Sequence, residues 1–306
     1  MKYHFIVNPK ARSGLGEMIW RRLEPELIKR RTAYQCCLTT KRKEAGRIAS
    51  DITSDGKPYT LVVLGGDGTL NEVINGIACP EKTTLGYIPI GSSNDFARGL
   101  GLPKDPERAM EMILRPAGIR KIDIGEVTGG SRSSRFLVSA GIGFDAAVCH
   151  EVCVSKWKVF LNRIGLGKLS YAVVALDRLK KDRPVTMRLT LPDGTVKILE
   201  RTYFTAFMNL PYEGGGFKFT PEADPGDGML DVIAAHGIGI PKVLFLLPLA
   251  LMGKHTGFKG ISLIKCREVR VQAERALPLH TDGEPGFLRR DIRVRLTGSR
   301  LNVIVK

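Results

Sequence analysis

The sequence predicts an α/β fold in which a parallel, helix-covered sheet is followed by a mainly β domain. In the first third of the chain, short apolar strand patterns alternate with helix-period patterns. After about Ile122, short alternating segments separated by Gly, Pro and Asp-Gly turns replace that rhythm. At 306 residues, with 43% apolar residues, the chain is long enough for two domains. We therefore expect domains at residues 1–122 and 123–306.

The first part of the chain repeats a strand followed by a helix. Each strand is a short apolar run, and each helix places apolar residues at helical spacing. We predict strands at residues 3–7, 34–39, 60–64 and 84–90, and helices at residues 14–31, 44–54, 70–77 and 94–99. Parallel strands joined by helices place their carboxyl ends at one edge of the sheet, where such folds bind ligands.

The second part is built mainly from short strands. We predict strands at residues 136–140, 185–191, 197–207, 229–234 and 269–273, and helices at residues 168–181 and 241–252. The last strand, at residues 291–305, could pair in the second domain or return to the first. No internal repeat of fixed period is present in the sequence.

Charge and hydropathy limit the classes of partner and location. The formal charge of +16 suits nucleic acid, an anionic membrane face or phosphorylated small molecules, although a merely solvated basic surface fits as well. The longest apolar run, residues 243–252, is too short to span a bilayer, and a buried helix is preferred to one resting on lipid. The N-terminus lacks a signal-peptide pattern, and six scattered cysteines predict reduced thiols, so we expect a cytoplasmic protein.

Three loops follow predicted parallel strands. The sequence GGDGT occupies residues 65–69, GSSNDFAR residues 91–98 and NPKARSG residues 8–14. Glycines allow the backbone to approach phosphate oxygens, and amides at a helix start attract anions. A tight strand-to-helix turn is the alternative for the first loop. Ser92 and Ser93 offer hydroxyls, and Asn94 is a plausible N-cap of the next helix.

Two acidic turns lie in the second part. The stretch PEADPGDGMLDV at residues 221–232 offers hard oxygen ligands that suit Mg²⁺, and a plain β-hairpin turn explains it equally well. The sequence TDGEP at residues 281–285 is also an ordinary hairpin signal. A carboxylate at Asp282 could, however, accept the proton of an alcohol that attacks a phosphoryl group.

Together these motifs resemble the diacylglycerol kinase catalytic family, specifically the bacterial soluble lipid kinases, which are also similar to sphingosine and ceramide kinases. The resemblance spans nearly the whole chain. It depends on the order and spacing of NPKARSG, GGDGTLNEV, GSSNDFARGLG, GGGFKFTPEADPGDGMLDV and TDGEP. It implies an N-terminal nucleotide-binding domain like that of NAD kinases and phosphofructokinases, and a C-terminal β sandwich.

The resemblance also implies site residues and cofactors. The cofactors are ATP and Mg²⁺, and the general base is Asp282. The residues expected at ATP are Asn8, Pro9, Lys10, Ala11, Arg12, Thr39, Gly65, Gly66, Asp67, Gly68, Thr69, Leu70, Asn71 and Ser92. Asp227 is expected to bind Mg²⁺ through its carboxylate, and Asp224 and Met229 through their backbone carbonyls. Asp95 and Asp123 are expected to hydrogen-bond to the waters around the metal.

The expected function is ATP-dependent phosphorylation of a hydroxyl group of diacylglycerol or a related lipid. This implies a lipid substrate at an anionic membrane surface, a peripheral location at the inner membrane face and no nucleic acid partner. A homodimer is left open. The alternatives are a soluble-substrate kinase of the NAD kinase type and a non-catalytic basic membrane-binding protein. His280 and Thr281 stand where the family more often has apolar or amide residues, and they could tune acceptor preference.

Overall fold

The chain divides into two compact units in the computed structural model, which describes residues 2–154, 177–179 and 181–306. The first unit comprises Met1–Ile124 and Thr297–Lys306, and the second comprises Gly125–Leu296. The last strand, Arg289–Val305, is divided between the two units: its first half lies in the second unit and its second half in the first.

The first unit is a parallel sheet with helices between its strands. Its elements are β1 (Tyr3–Val7), α1 (Ala11–Lys29), β2 (Tyr34–Leu38), α2 (Glu44–Thr53), β3 (Tyr59–Gly65), α3 (Asp67–Gly76), β4 (Thr83–Pro89), α4 (Asp95–Gly99), α5 (Pro106–Leu114) and the start of β5 (Gly118–Gly129). The strand order is β2, β1, β3, β4, with all pairs parallel. The end of β15 (Arg289–Val305) adds beside β4, where Asn302 pairs with Thr84.

Burial explains why these segments form a parallel sheet. β3 is buried from Thr60 to Gly65, as expected for a central strand covered by helices on both faces. Helix α2 turns Ala45, Ile48 and Ala49 inward, which is the helical spacing seen in the sequence.

The second unit is built mainly from antiparallel strands. Its elements are the end of β5, β6 (Arg132–Phe136), β7 (Ser139–Gly143), α6 (Phe144–Val154), β8 (Val185–Thr190), β9 (Val196–Met208), β10 (Leu230–His236), α7 (Ile240–Leu251), β11 (Ile261–Cys266), β12 (Glu268–Leu277), β13 (Leu279–Thr281), β14 (Glu284–Pro285) and the first half of β15. The strand pairs β7 with β9, β9 with β10 and β12 with β15 are antiparallel, as are β5 with β6, β8 with β9, β8 with β12, β10 with β11, β7 with β13 and β13 with β14.

The long strand β9 connects the two parts of this sheet system. Its first half pairs with β8, and its second half pairs with β7 and β10. Arg201 lies between the two halves with a left-handed φ of 51°. Side chains from ten strands form one hydrophobic core, which includes Phe136, Phe207 and Val271, all fully buried. Burial of each side chain of this size contributes about 1.5–3 kcal/mol to the free energy of folding.

Several elements differ from the sequence prediction. The predicted strand at residues 136–140 is wrong, because the chain breaks between β6 and β7 at Leu137 and Val138. Helix α3 begins at Asp67 and not at Leu70, so the GGDGT residues enter the first helical turn. Helices α5 and α6 were not predicted. Most of the helix predicted at residues 168–181 lies outside the described residues, and residues 177–179 and 181 are helical.

Helix α7 is only partly buried, in contrast to the buried helix preferred from the sequence. Leu246 and Ala250 face the protein. Phe245 is 57% exposed and Leu251 is 52% exposed, and Leu244 and Met252 are also exposed. Among the described residues, no helix has the length and apolar character needed to cross a membrane.

Candidate functional site

The loops predicted to bind phosphate lie at one edge of the first unit's sheet. The chain passes from β1 outward to β2 and then to β3 on the other side of β1. Such a switch point separates the loops that follow the two central strands and is the usual ligand site of parallel sheets. Here the NPKARSG loop follows β1, and the GGDGT sequence follows β3.

A side-chain hydrogen bond joins these two loops. Asn8 Nδ2 donates to Thr69 Oγ1 at 2.9 Å, and the Asn8 carboxamide oxygen accepts from Lys10 N–H at 3.2 Å. Lys10 Nζ donates to the carbonyl of Thr40 at 2.9 Å. Thr39, which is buried, donates its N–H to Val7 at the end of β1. The structure thus gathers the predicted nucleotide residues of β1, β2 and β3 at one sheet edge.

The backbone after Lys10 departs from helical geometry. Arg12, Ser13 and Gly14 adopt left-handed φ values of 49°, 61° and 96°. A non-glycine residue in this region costs roughly 1–2 kcal/mol. The regular part of α1 therefore follows Gly14, whereas the sequence predicted the helix from residue 14; residues 8–14 form a loop whose last four residues fall within the bounds of α1. Arg12 is exposed on this loop, where its guanidinium could contact an anion.

The glycines of the GGDGT sequence allow two loops to touch. A Cβ on Gly66 would lie 3.2 Å from Gly91 Cα, and a Cβ on Gly91 would lie 2.7 Å from Gly66 Cα. Gly66 has φ −97°, which any residue adopts. A side chain at this position would therefore not force an unfavourable φ. Glycine is needed at position 66 because the loops after β3 and β4 pack too closely there for a side chain.

Asp67 ties the same two loops together. Its carboxylate accepts N–H groups from Asp95 at 3.2 Å and Phe96 at 3.4 Å, at the start of α4. Asn94 occupies the N-cap position of α4 as predicted, but its φ is left-handed and its side chain makes no cap bond. Its Nδ2 donates to Gly91 O instead. A carboxylate from a different loop therefore caps this short helix.

The remaining predicted residues of the first unit have separate environments. Leu70 and Asn71 are buried on α3, and Ser92 is exposed on the loop after β4. Asp95 is buried with Arg98 3.6 Å away, and Asp123 accepts from Arg300 at 2.8 Å. The ion pair with Arg300 gives Asp123 a structural role on the strand β5.

Asp282 occupies the tip of a tight hairpin in the second unit. Thr281 of β13 pairs with Glu284 of β14, which leaves Asp282 and Gly283 as a two-residue turn. Both have left-handed φ values, 49° and 77°. Positive φ at both central positions is typical of a type I′ turn. The hairpin alternative weighed from the sequence is therefore correct as a description of local structure.

The Asp282 carboxylate is fixed by main-chain amides. Oδ1 accepts from Leu137 at 3.2 Å, Val138 at 2.8 Å and Ser139 at 3.1 Å, and Oδ2 accepts from Leu137 at 3.1 Å. The Asp282 N–H donates to Ser139 O. These bonds explain the break between β6 and β7, and they hold the carboxylate in one orientation.

The acidic loop before β10 is organised by its own carboxylates. Asp224 Oδ1 accepts from Gly226 N–H, and Asp227 Oδ1 accepts from Met229 N–H, both at 2.9 Å. Lys265 Nζ on β11 donates to Asp227 Oδ2 at 3.1 Å. Burial raises the pKa of the neighbouring Asp231, although Lys265 opposes this effect.

The donor set of this loop fits Mg²⁺. It offers the Asp227 carboxylate together with main-chain oxygens, which are the ligands that Mg²⁺ prefers. The ammonium of Lys265 shows that the carboxylate already faces a cation. Metal bound to Asp227 would have to displace Lys265 from this position.

A buried polar cluster lies behind the Asp282 hairpin. It consists of Asp145 on α6, Glu213 after β9 and His280 on β13. Sequence reasoning noticed only His280. Asp145 lies on a helix that was not predicted, and Glu213 is a single acid before three glycines, so neither carried a recognisable signal.

Comparison with known proteins identifies the family. The model of the diacylglycerol kinase catalytic domain matches residues 2–127, and that of the YegS C-terminal NAD kinase beta sandwich-like domain matches residues 138–304. The Bacillus subtilis protein named "Putative lipid kinase YtlR" is 31% identical over 92% of this chain and 93% of its own length. The chain belongs to the diacylglycerol kinase catalytic domain family. A Bacillus subtilis diacylglycerol kinase is 33% identical over 74% of this chain and 71% of its own.

Solved structures share the fold of this family member. A diacylglycerol kinase from Bacillus anthracis has a TM-score of 0.73 at 22% identity, over 100% of this chain and 97% of its own. An NAD kinase from Archaeoglobus fulgidus in complex with ATP has a TM-score of 0.53 at 12% identity, over 99% and 93% of the two chains. The predicted parallel-sheet domain followed by an NAD kinase-like β sandwich is therefore confirmed.

Proposed function

We propose that this diacylglycerol kinase family member transfers the γ-phosphoryl group of ATP to a hydroxyl of diacylglycerol or a closely related lipid. The observation that carries the proposal is Asp282, a carboxylate held in one orientation by three main-chain amides. It lies in a chain whose relatives are named diacylglycerol kinases. The family implies ATP as the phosphoryl donor.

The first unit is the proposed ATP-binding unit. The start of α3 after Gly66 presents main-chain amides to anions, and Lys10 and Arg12 add positive charge at the same sheet edge. The Asn8–Thr69 hydrogen bond keeps the β1 and β3 loops in a fixed relation. Positioning and charge stabilisation supply most of the rate in phosphoryl transfer.

Asp282 is the proposed general base. The lipid hydroxyl oxygen attacks the γ-phosphorus, the bond from that phosphorus to the ADP oxygen breaks, and the hydroxyl proton passes to the Asp282 carboxylate. ADP leaves with the bonding electron pair. A positioned base typically contributes 10²–10⁴-fold to such a step.

The choice of acceptor can be tested directly. Purified protein with γ-labelled ATP is offered diacylglycerol, monoacylglycerol, sphingosine, phosphatidylglycerol, an isoprenoid alcohol or NAD⁺, and the products are separated by thin-layer chromatography. We expect label in the diacylglycerol product above all others. Transfer to NAD⁺ would instead support the soluble-substrate kinase that the fold of the NAD kinase allows.

Mg²⁺ is proposed at the Asp227 loop, held by the Asp227 carboxylate and the carbonyls of Asp224 and Met229. Bound metal would order this loop and neutralise its acidic groups. We expect Mg²⁺ without nucleotide to raise the melting temperature of the parent protein by several degrees and to leave Asp227→Ala unshifted. A ligand at one hundred times its Kd stabilises by about 2.7 kcal/mol.

Asp193→Ala is the matched control for this measurement. Asp193 lies in another turn of the second unit and accepts Thr195 N–H through its carboxylate, as Asp227 accepts Met229 N–H. This variant should keep the full Mg²⁺-dependent shift. Equal shifts in the parent and Asp227→Ala would leave Asp227 as a turn residue paired with Lys265.

An anionic membrane surface is the proposed location of the lipid substrate. The exposed apolar side chains of α7 and the loop after it include Phe245, Leu251 and Phe258, and exposed Lys254 and Lys259 lie nearby in the sequence. Apolar side chains flanked by lysines suit the boundary between headgroups and acyl chains. We call these five residues the α7 surface.

Vesicle binding tests the α7 surface. We expect Phe245→Ser with Leu251→Ser to weaken binding to phosphatidylglycerol vesicles by roughly tenfold to a hundredfold, because each side chain contributes on the order of 1 kcal/mol or more when buried in lipid. Ile198→Ser is the control, since Ile198 on β9 is 63% exposed. Equal losses in the control, or none in the double variant, would contradict the proposal.

A further inference from the structure

The buried cluster behind the Asp282 hairpin brings three titratable side chains together. His280 Nε2 lies 3.3 Å from Asp145 Oδ2 and 3.2 Å from Glu213 Oε1. His280 is fully buried, and Asp145 and Glu213 are 7% and 5% exposed. Burying two carboxyl groups and an imidazole is costly unless their protons and charges are matched.

Gly141 makes the space that the cluster occupies. It lies on β7 directly opposite His280 in the antiparallel register. A Cβ at this position would collide with Asp145 Oδ2 and lie 2.5 Å from His280 Nε2. The strand beside the hairpin thus carries the one residue type that leaves the cluster intact.

The hydrogen-bond pattern assigns the protons of His280. Gly283 N–H donates to His280 Nδ1 at 3.2 Å, so Nδ1 is an acceptor and carries no proton. Nε2 must then carry the imidazole proton, and it faces the oxygens of both acids. The two ring nitrogens therefore have different tasks: Nδ1 holds the turn, and Nε2 joins the acids.

The electrostatics of the cluster favour one proton more than a neutral imidazole and two carboxylates would hold. Burial opposes a charge on the His280 ring, but the neighbouring Glu213 and Asp145 outweigh this effect and raise the pKa of His280. Burial also raises the pKa of Asp145. Because Nδ1 accepts from Gly283, we assign the additional proton to the Asp145 carboxyl and not to the His280 ring.

A metal ion is a weaker explanation for the same residues. Cys149, Glu213 and His280 place ligand atoms within 4.8 Å of one another. A histidine that binds a metal through Nε2 normally donates its Nδ1 proton to an acceptor. Here Nδ1 faces the N–H donor of Gly283, which is the opposite arrangement.

We infer that His280 is a positioning residue for Asp282, and that Asp145 and Glu213 orient its ring. The inference rests on the proposed function, because it concerns the base of that reaction. The Asp145–His280–Glu213 cluster fixes the ring, the ring fixes Gly283, and Gly283 directly follows Asp282 in the turn. His280 thus positions Asp282 through Gly283, and the amides of residues 137–139 bind the Asp282 carboxylate directly.

Two substitutions separate the tasks of the ring nitrogens. In His280→Asn, the amide oxygen replaces Nδ1 and can still accept from Gly283, whereas in His280→Gln the amide nitrogen replaces Nε2 and can still donate to the acids. We expect the His280→Asn variant to retain kcat within about threefold of the parent and to have the lower melting temperature of the two variants. We expect the His280→Gln variant to have the higher melting temperature but to lose kcat on the order of a hundredfold, because misplacement of a reacting group by about 1 Å has an effect of that size.

The outcome is decided by the order of the two variants. ATP affinity should be unchanged in both. If the role of His280 is purely structural, the variant with the lower melting temperature should also have the lower kcat. That result would overturn the inference, as would equal kcat in both variants.

Nitrogen NMR of histidine-labelled parent protein tests the cluster without any substitution. We expect one protonated and one unprotonated ring nitrogen for His280 at neutral pH. Two protonated nitrogens, or stoichiometric zinc in the purified protein, would overturn the inference. If the parent transfers no phosphate to lipid, the proposed function fails, whereas this spectrum still reports on the cluster by itself.

Discussion

Asp282→Asn is expected to lower kcat for lipid phosphorylation by about a hundredfold or more while leaving ATP affinity unchanged. Asparagine has the same shape, and it tolerates the left-handed φ of this position. Its amide cannot take the proton of the attacking hydroxyl. The loss should therefore fall on the chemical step, measured as kcat with saturating ATP and diacylglycerol in mixed micelles.

Stability must be measured beside activity for this variant. The amide group of asparagine would place N–H hydrogens where Asp282 Oδ2 now accepts from Leu137, and we expect a cost of about 1 kcal/mol. Asp193→Asn is the control, because Asp193 is another turn aspartate of the second unit that accepts a main-chain N–H. It should keep full activity. Near-normal turnover in Asp282→Asn would reduce Asp282 to a turn residue.

Gly66→Val is expected to weaken ATP binding by at least about tenfold and to lower stability by roughly 1–3 kcal/mol. The added Cβ would lie 3.2 Å from Gly91 Cα, which belongs to the backbone and cannot rotate away. The loops after β3 and β4 must then separate, and the amides at the start of α3 move with them. Titration calorimetry with ATP and thermal unfolding measure the two effects.

Gly257→Val controls for the loss of a glycine as such. A Cβ at Gly257 would meet nothing within 4 Å, and its φ is not in the left-handed region. This variant should bind ATP as the parent does. Unchanged ATP affinity in Gly66→Val, in a protein that melts like the parent, would show that nucleotide binds away from this loop.

The parallel half of the fold could be predicted from the sequence because its signals are local. The apolar run of β3 and the helical spacing of α2 determine their own structures. The break between β6 and β7 could not be predicted in the same way. It depends on Asp282, more than 140 positions along the chain, which collects the amides of Leu137 to Ser139.

The candidate site likewise contains residues that local sequence signals reveal and residues that only tertiary contacts reveal. The motif residues at the sheet edge are contiguous in sequence and were found as motifs. The contact between Gly66 and Gly91, the capping of α4 by Asp67 and the pairing of Asp227 with Lys265 are tertiary. Asp145 and Glu213 become recognisable only when folding brings them to His280.

Transfer of label from ATP to lipid tests the central claim most directly. γ-Labelled ATP and diacylglycerol micelles are incubated with the parent protein or with Asp282→Asn, and the lipid is extracted and counted. We expect label in the phosphorylated diacylglycerol of the parent reaction, and at most about a hundredth of that rate with the variant. Label that stays in the aqueous phase with the parent protein, or enters lipid equally fast with both proteins, would contradict the account.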